Sequence, residues 1–347
     1  LNQILSQYTN GDKINASNKL RIFIKENPKD YTALYNYGFM CQELHKINIA
    51  IECYKKVISK KPDHWRSKFN LYLIYIEKKN YTLALKLVDE VLTLKQNYQP
   101  AQRDKALILY YMKKPDEGLK YIELSIKQNP KDYIAFNTLG LILISLKNYQ
   151  EAKKIFLEAI KINKLYISSY NNIGHCYKLL NDQEKAISNF RKALDINPKS
   201  YEAINNIANH YNEIGNYKKA LSHYFKALKH DSKNSKIMSN IAIAYFNLNN
   251  EEEAEKYYVQ SYSMSPDDEI IQKAYSFHLL KQQKYREAWL LFDGRLKNKE
   301  FSYKNSNVDN VKKKLWKNEK LSEKDKILVI KEQGIGDEIL YSSMYAD

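Results

Sequence analysis

The chain has 347 residues, of which 44% are hydrophobic, with only 9 glycines and 7 prolines and a formal net charge of +16. This composition excludes a disordered or β-rich chain and supplies enough apolar surface for a core. No stretch approaches the roughly 18 to 20 apolar residues that a membrane-spanning helix needs, so we expect no membrane segment. The basic residues are mostly lysines without a long cluster, which favours a solvated surface over a nucleic-acid-binding one.

The three cysteines, Cys41, Cys53 and Cys176, follow no spacing typical of a disulfide framework or of a zinc site. The seven histidines form no metal-binding motif either. We therefore expect no metal site, no disulfide and a reducing, cytoplasmic environment.

The residues 167–200 predict two amphipathic helices, the second of which ends at Pro198. The same pattern returns every 34 residues in both directions. One position of the second helix is almost always alanine, which allows two antiparallel helices to approach closely. This small position is occupied by Ala16, Ala50, Ala84, Gly118, Ala152, Ala186, Ala220, Ala254 and Ala288. The first helix has a matching small position at Gly38, Gly140, Gly174, Ala208 and Ala242, which Tyr72 and Ser276 break.

A fixed period of this length, with two helices in each period, resembles a tetratricopeptide repeat (TPR) array. The resemblance implies an all-α solenoid, a right-handed superhelix whose first helices line a concave groove. The predicted domain organisation is a TPR array over 1–302, a linker over 303–325 and an α/β fragment over 326–347. Within the array a partial repeat, 1–30, precedes eight repeats at 31–64, 65–98, 99–132, 133–166, 167–200, 201–234, 235–268 and 269–302.

One position of the first helix, here called the ladder position, is rich in asparagine. It is occupied by Asn36, Asn70, Asp104, Thr138, Asn172, Asn206, Asn240 and Ala274. A side-chain amide can donate to and accept from a peptide unit at once. The series resembles the asparagine ladder in the groove of O-linked N-acetylglucosamine transferases, which clasps the substrate backbone. Asparagine is also common at this position in TPRs without such a role, so both interpretations stay open.

The positions expected to line the groove change in character along the array. Those of the earlier repeats are largely apolar, for example Phe69, Leu73 and Ile76. Those of the fifth and sixth full repeats are polar: Asn171, His175, Lys178, Asn205, Asn209 and Asn212. We predict that the polar half holds the backbone or acidic groups of a bound peptide, with Asn171, His175 and Lys178 as contacts. The alternative for the apolar half is that neighbouring repeats simply cover it.

The carboxyl-terminal residues predict one strand at 326–330, followed by a turn with Gly334 and Gly336, then Asp337 and a helix over 338–346. A strand, a glycine-containing turn and a helix are how nucleotide-binding α/β domains begin. A structural turn and a helix cap at Asp337 would also explain these residues.

Together with the preceding A-W-x-x-F-x-x-R and Leu-Trp, the run I-L-V-I-K-E-Q-G-I-G-D resembles bacterial TPR proteins with a heptosyltransferase-like (GT-B) catalytic domain. The resemblance implies that Gly334 and Gly336 form the loop at the cleft and that Asp337 is the general base. The fragment lacks a donor-binding lobe, so we expect no cofactor here and a nucleotide-sugar donor only for a longer protein. The predicted function is the substrate- or partner-binding arm of a bacterial glycosyltransferase, with a protein or peptide in the groove. The alternative is a non-catalytic scaffold.

Overall fold

The computed structural model describes residues 1–292, which form eighteen α-helices joined by short turns. The helices are α1 (Asn2–Thr9), α2 (Lys13–Glu26), α3 (Tyr31–Glu43), α4 (Ile47–Lys60), α5 (Trp65–Glu77), α6 (Tyr81–Leu94), α7 (Gln99–Tyr111), α8 (Pro115–Gln128), α9 (Tyr133–Ser145), α10 (Tyr149–Ile162), α11 (Ile167–Leu179), α12 (Gln183–Ile196), α13 (Tyr201–Glu213), α14 (Tyr217–His230), α15 (Ser235–Asn247), α16 (Glu251–Met264), α17 (Glu269–Lys281) and α18 (Tyr285–Phe292). The predicted all-α solenoid is confirmed for these residues. The strand predicted at 326–330 and the linker lie outside them.

The turn between the two helices of each repeat is built in the same way throughout. One residue takes a left-handed conformation and stops the first helix. These residues are His45, Lys79, Lys113, Lys147, Asn181, Gly215, Asn249 and Gln283. In the fourth full repeat, the next amide, that of Asn148, donates to the Leu143 carbonyl oxygen at 2.9 Å and closes the helix end. The left-handed residue recurs every 34 residues. The second helix of each repeat therefore leaves the first helix in the same direction.

The two helices of a repeat fit by pairing a small residue with a large one. A Cβ atom at Gly140 would lie 2.4 Å from the Phe156 ring, and one at Gly174 would lie 2.4 Å from the Phe190 ring. The second full repeat reverses the sizes, because Tyr72 on α5 is fully buried in the same core cluster as the smaller Val88 on α6. The tyrosine that breaks the small position is thus accommodated by a smaller residue opposite it.

The curvature follows from which helices touch across repeats. The first helices of successive repeats contact one another: α7 contacts α9, and α13 contacts α15. Within residues 1–292 no pair of second helices makes comparable contacts. The first helices therefore form the inner, concave layer, and the second helices form the outer one.

Candidate functional site

The apolar half of the concave face is only partly open to solvent. Phe69, Leu73 and Ile76 are half-buried and pack against the core cluster of the second full repeat. Phe39 is the more exposed member, with 41% of its surface accessible. Neighbouring side chains therefore cover much of this half, which agrees with the alternative that adjacent repeats cover its apolar positions.

A buried charge network separates the apolar half from the polar half. The Arg103 guanidinium contacts an Asp104 carboxylate oxygen at 2.9 Å and an Asp132 oxygen at 3.0 Å, and the Tyr72 hydroxyl donates to Asp104 at 3.0 Å. Gln99 donates to Asp132 at 2.8 Å. Burial raises the pKa of Asp104, whereas hydrogen bonds from Gln99 and the charge of Arg103 outweigh burial and lower that of Asp132. Arg103 is thus committed to internal partners.

The polar half contains a cavity of about 590 Å³, formed mainly by α11, α13 and the start of α15. It is lined by Ile167, Ser168, Asn171, Asn172, His175, Asn197, Ser200, Tyr201, Glu202, Asn205, Asn206, Asn234, Lys236 and Ile237. Ligand pockets in proteins have volumes in this range. The structure therefore brings four of the predicted contacts, Asn171, Asn172, His175 and Asn206, to one cavity, together with the predicted groove position Asn205.

The ladder asparagines do not all face the groove with free amides. The Asn172 side-chain amide donates to the Asn137 amide oxygen at 2.9 Å, and the Asn240 amide donates to that of Asn205 at 3.3 Å. In both cases the acceptor lies 35 residues earlier in the chain, one position before the ladder position of the previous repeat. We call such a pair a rung, and these two rungs are closed. The Asn70 amide closes a third on the Tyr35 hydroxyl at 3.3 Å.

One rung is open although both of its residues are asparagines. The amide oxygen of Asn171 is buried without a hydrogen-bond partner among residues 1–292. The side chain of Asn206, which would close this rung, makes no hydrogen bond within the same part of the chain. Both side chains line the polar cavity. The remaining ladder position that carries asparagine, Asn36, stands opposite Leu1, which has no polar side chain.

His175 and Lys178 differ in how available they are. His175 is exposed at the cavity, but the surrounding helices exclude much of the water, and together with the charge of Lys178 this lowers its pKa. The imidazole is therefore neutral at pH 7. The Lys178 ammonium forms an ion pair with Glu213 of the next repeat, so it is not a free cation.

Nine of the fourteen cavity residues were not predicted from the sequence, and three of these nine share a repeat position. Ser168, Glu202 and Lys236 each occupy the second position of a first helix in consecutive repeats. Their shared repeat position could have identified them as a set in the sequence. That this position faces the cavity depends on the tilt of the first helices, which only the structure shows.

The other predicted features fall into two groups. Within residues 1–292 the three cysteines are buried and free, no cluster of ligands could hold a metal ion, and no helix is long and apolar enough to span a membrane. Gly334, Gly336 and Asp337 lie outside the described residues.

Comparisons with known proteins follow the repeat pattern. Family models described as tetratricopeptide repeats match residues 168–298, 132–199 and 31–64, which together cover more than half of the chain. No curated protein matches the sequence significantly.

Two solved structures are similar in fold. A tetratricopeptide repeat protein from Parabacteroides merdae is 16% identical with a TM-score of 0.64, over 70% of this chain and 96% of that one. A chain of the APC/C hetero-tetramer Cut9–Hcn1 is 14% identical with a TM-score of 0.58, over 80% of this chain and 55% of that one. Identities this low show the fold alone.

Proposed function

This chain belongs to the tetratricopeptide repeat proteins, and from that premise we propose that its concave face binds an extended segment of a partner protein. The observation that carries the proposal is the polar cavity on α11, α13 and α15, where asparagine side chains from consecutive repeats meet. An extended peptide offers an N–H and a C=O at each residue, and amide side chains complement both.

A selection of peptides from an unbiased display library on the full chain tests this proposal. Selected peptides should lose binding to a Ser168→Trp variant, because Ser168 is exposed and lines the cavity, which the indole would fill. The matched control is Ser222→Trp on the outer helix α14, also exposed, which should bind the peptides normally. Peptides that bind both variants equally well would place the binding surface elsewhere.

A finer function rests on the sequence alone. We propose, on the resemblance of the run I-L-V-I-K-E-Q-G-I-G-D, that the array is the substrate- or partner-binding arm of a bacterial glycosyltransferase with Asp337 as general base. The alternative, a non-catalytic scaffold, needs only the groove.

The transferase and scaffold proposals are distinguished by an activity assay on the full-length gene product. Incubation with a panel of nucleotide sugars should release nucleotide if the transferase proposal is correct, and Asp337→Asn should abolish the release while leaving peptide binding unchanged. Absence of nucleotide release, in the presence of a bound peptide acceptor, would favour the scaffold.

A further inference from the structure

The outer helix α14 carries positive charge alone. It contains no Asp or Glu, and its lysines, here called the lysine stripe, are all exposed: Lys218, Lys219, Lys226 and Lys229. Every other second helix among residues 1–292 contains at least one carboxylate. Within the same residues no carboxylate forms an ion pair with the stripe, whereas Lys185 on α12 and Lys256 on α16 are both paired.

The contrast with α12, one repeat earlier, lies at three positions. The acidic residues Asp182, Glu184 and Asp195 are replaced, 34 residues later, by Asn216, Lys218 and Lys229. The helix cap is kept, because the Asn216 amide oxygen still accepts from the Lys219 backbone amide at 3.2 Å. Residues 182–196 carry three acidic and three basic side chains, whereas 216–230 carry four lysines and no acid. The charge therefore changes while the backbone stays the same.

The lysines do not stabilise the helix that carries them. Lys218 and Lys219 lie in its first turn, where the helix dipole disfavours positive charge. Lys226 and Lys229 are three residues apart, so their ammonium groups repel each other across one turn. Carboxylates brought by a partner would relieve both interactions.

The exposed face of α14 combines charge at its ends with an apolar centre. Lys218, Ser222, Phe225 and Lys229 follow the spacing i, i+4, i+7 and i+11, which places them along one side of the helix. Phe225 has 38% of its surface accessible, and its ring lies 6.0 Å from that of Tyr257 on α16, measured between centroids. The small Ser222 leaves room beside the phenyl ring for a side chain of a partner.

The surroundings of the stripe limit the shape of that partner. Exposed carboxylates lie on the second helices that precede and follow it: Glu184 and Asp195 on α12, and Glu251 and Glu252 on α16. The positive surface is therefore one helix wide, roughly 10 to 12 Å. A nucleic acid or an anionic membrane would also bring its phosphates against these carboxylates. A single acidic helix would not.

We propose that the lysine stripe of α14 is a docking site for an acidic helical segment of a partner protein. Carboxylates of the segment pair with the lysines at both ends of α14, and an apolar side chain between them packs on Phe225 beside Ser222. A helix fits this spacing because two aligned helices share the same rise per residue. The stripe lies on the outer layer, so this inference does not depend on the proposed function of the groove.

The experiment uses the full chain and a hydrocarbon-stapled probe helix with glutamates at i and i+11 and leucines at i+4 and i+7. A control probe has the same composition with its glutamates distributed around the helix. Fluorescence anisotropy should show that the probe binds more tightly than the control probe. Added salt should weaken this binding, because exposed charges are screened. No binding of the probe, or equal binding of both, would overturn the proposal.

The decisive variant combines Lys219→Glu with Lys226→Glu. Its matched control combines Lys185→Glu with Lys192→Glu, which makes the same charge change at the equivalent positions of α12. We expect the α14 variant to bind the probe about tenfold more weakly, and the α12 control to bind it nearly as the native chain does. Circular dichroism should show both variants folded. Equal losses would mean that the probe senses only net charge, which would contradict a site on α14.

Two further probes, a single-stranded oligonucleotide and vesicles that contain phosphatidylserine, represent the other anionic partners. Tighter binding of either than of the acidic helix, lost in the α14 variant, would overturn the proposal in favour of that partner. Ser222→Trp should weaken the acidic probe and Ser168→Trp should not, which is the reverse of the expectation for groove peptides. Failure of the stripe proposal is therefore distinguishable from failure of the groove proposal.

Discussion

From α3 to α7 the concave face is lined by half-buried apolar side chains such as Phe69 and Leu73, which pack against the core beneath them. From α11 to α15 it is lined by amides around a polar cavity, although the backbone, the turns and the paired small and large core residues follow the same repeat. The difference teaches that the core positions of the repeat determine the solenoid, whereas the groove positions are free to vary and carry the polar chemistry that we propose for binding.

The largest expected effect lies at the boundary of the two halves. Asp132→Ala removes the acceptor of Arg103 and Gln99 and the side-chain cap of α9, which leaves the guanidinium inside the repeat without one of its two carboxylates. We expect the free energy of unfolding to fall by about 3 kcal/mol in urea denaturation. Asp182→Ala, at the partly exposed cap of α12 in the polar half, is the control and should have a much smaller effect.

A second comparison probes the core under each half. Gly174→Ala brings a Cβ atom to 2.4 Å from the Phe190 ring, whereas Gly38→Ala meets Cys53 and Tyr54 at 3.0 Å. We expect Gly174→Ala to lower stability by about 1–3 kcal/mol and Gly38→Ala by less, as judged by thermal melting. Combining Gly174→Ala with Phe190→Leu should recover part of the loss. An undiminished melting temperature for Gly174→Ala would contradict the packing described above.

The sequence predicted these packing positions because helix pairing imposes a strict spacing on small and large residues, as at Gly174 and Phe190. It did not predict the rungs, because whether Asn172 reaches Asn137 depends on the rotation between successive repeats. The ion pair of Lys178 with Glu213 and the commitment of Arg103 to Asp104 and Asp132 are hidden for the same reason. Repeat position predicts which residues face the groove, but not which of them already have partners.

The closed and open rungs should contribute differently to the free energy of unfolding. Asn172→Ala removes the donor to the buried Asn137 oxygen, so it should cost about 1 kcal/mol in the free energy of unfolding. Asn206→Ala removes no internal hydrogen bond and should change stability by less than about 0.5 kcal/mol. Equal losses in urea denaturation would mean that the Asn171–Asn206 rung is closed in solution.

The pH dependence of stability involves histidines in both halves and at the end of the array. Burial lowers the pKa of His64, His175 and His278. His278 is the most buried of the three, with 1% of its surface accessible. Their unfolded pKa is about 6.5, so between that pH and the lower folded pKa the unfolded chain binds more protons. The histidines should therefore lower the melting temperature from pH 7 to pH 5.5. Asp104, whose pKa burial raises, contributes with the opposite sign. His278→Phe should reduce this slope, and an unchanged slope would exclude His278 as a contributor.

The smallest expected effect concerns the turns, which both halves share. Lys147 is left-handed with a φ of 62°, whereas the equivalent Gly215 has a φ of 77°. Relief of left-handed strain in Lys147→Gly exceeds the added flexibility of the unfolded chain, so stability should rise by about 0.5 kcal/mol. Gly215→Lys should lower it by a similar amount in the same denaturation assay. Opposite signs would show that the turns are not strained by a side chain.

The central claim is that the polar half of the concave face is where a partner peptide lies. The most direct measurement is photo-cross-linking of a library-selected peptide that carries a benzophenone, with the attached residues of the full chain identified by mass spectrometry. We expect attachment to the first helices around the cavity, on α11, α13 and α15. Attachment confined to the outer helices α12, α14 and α16 would contradict the account.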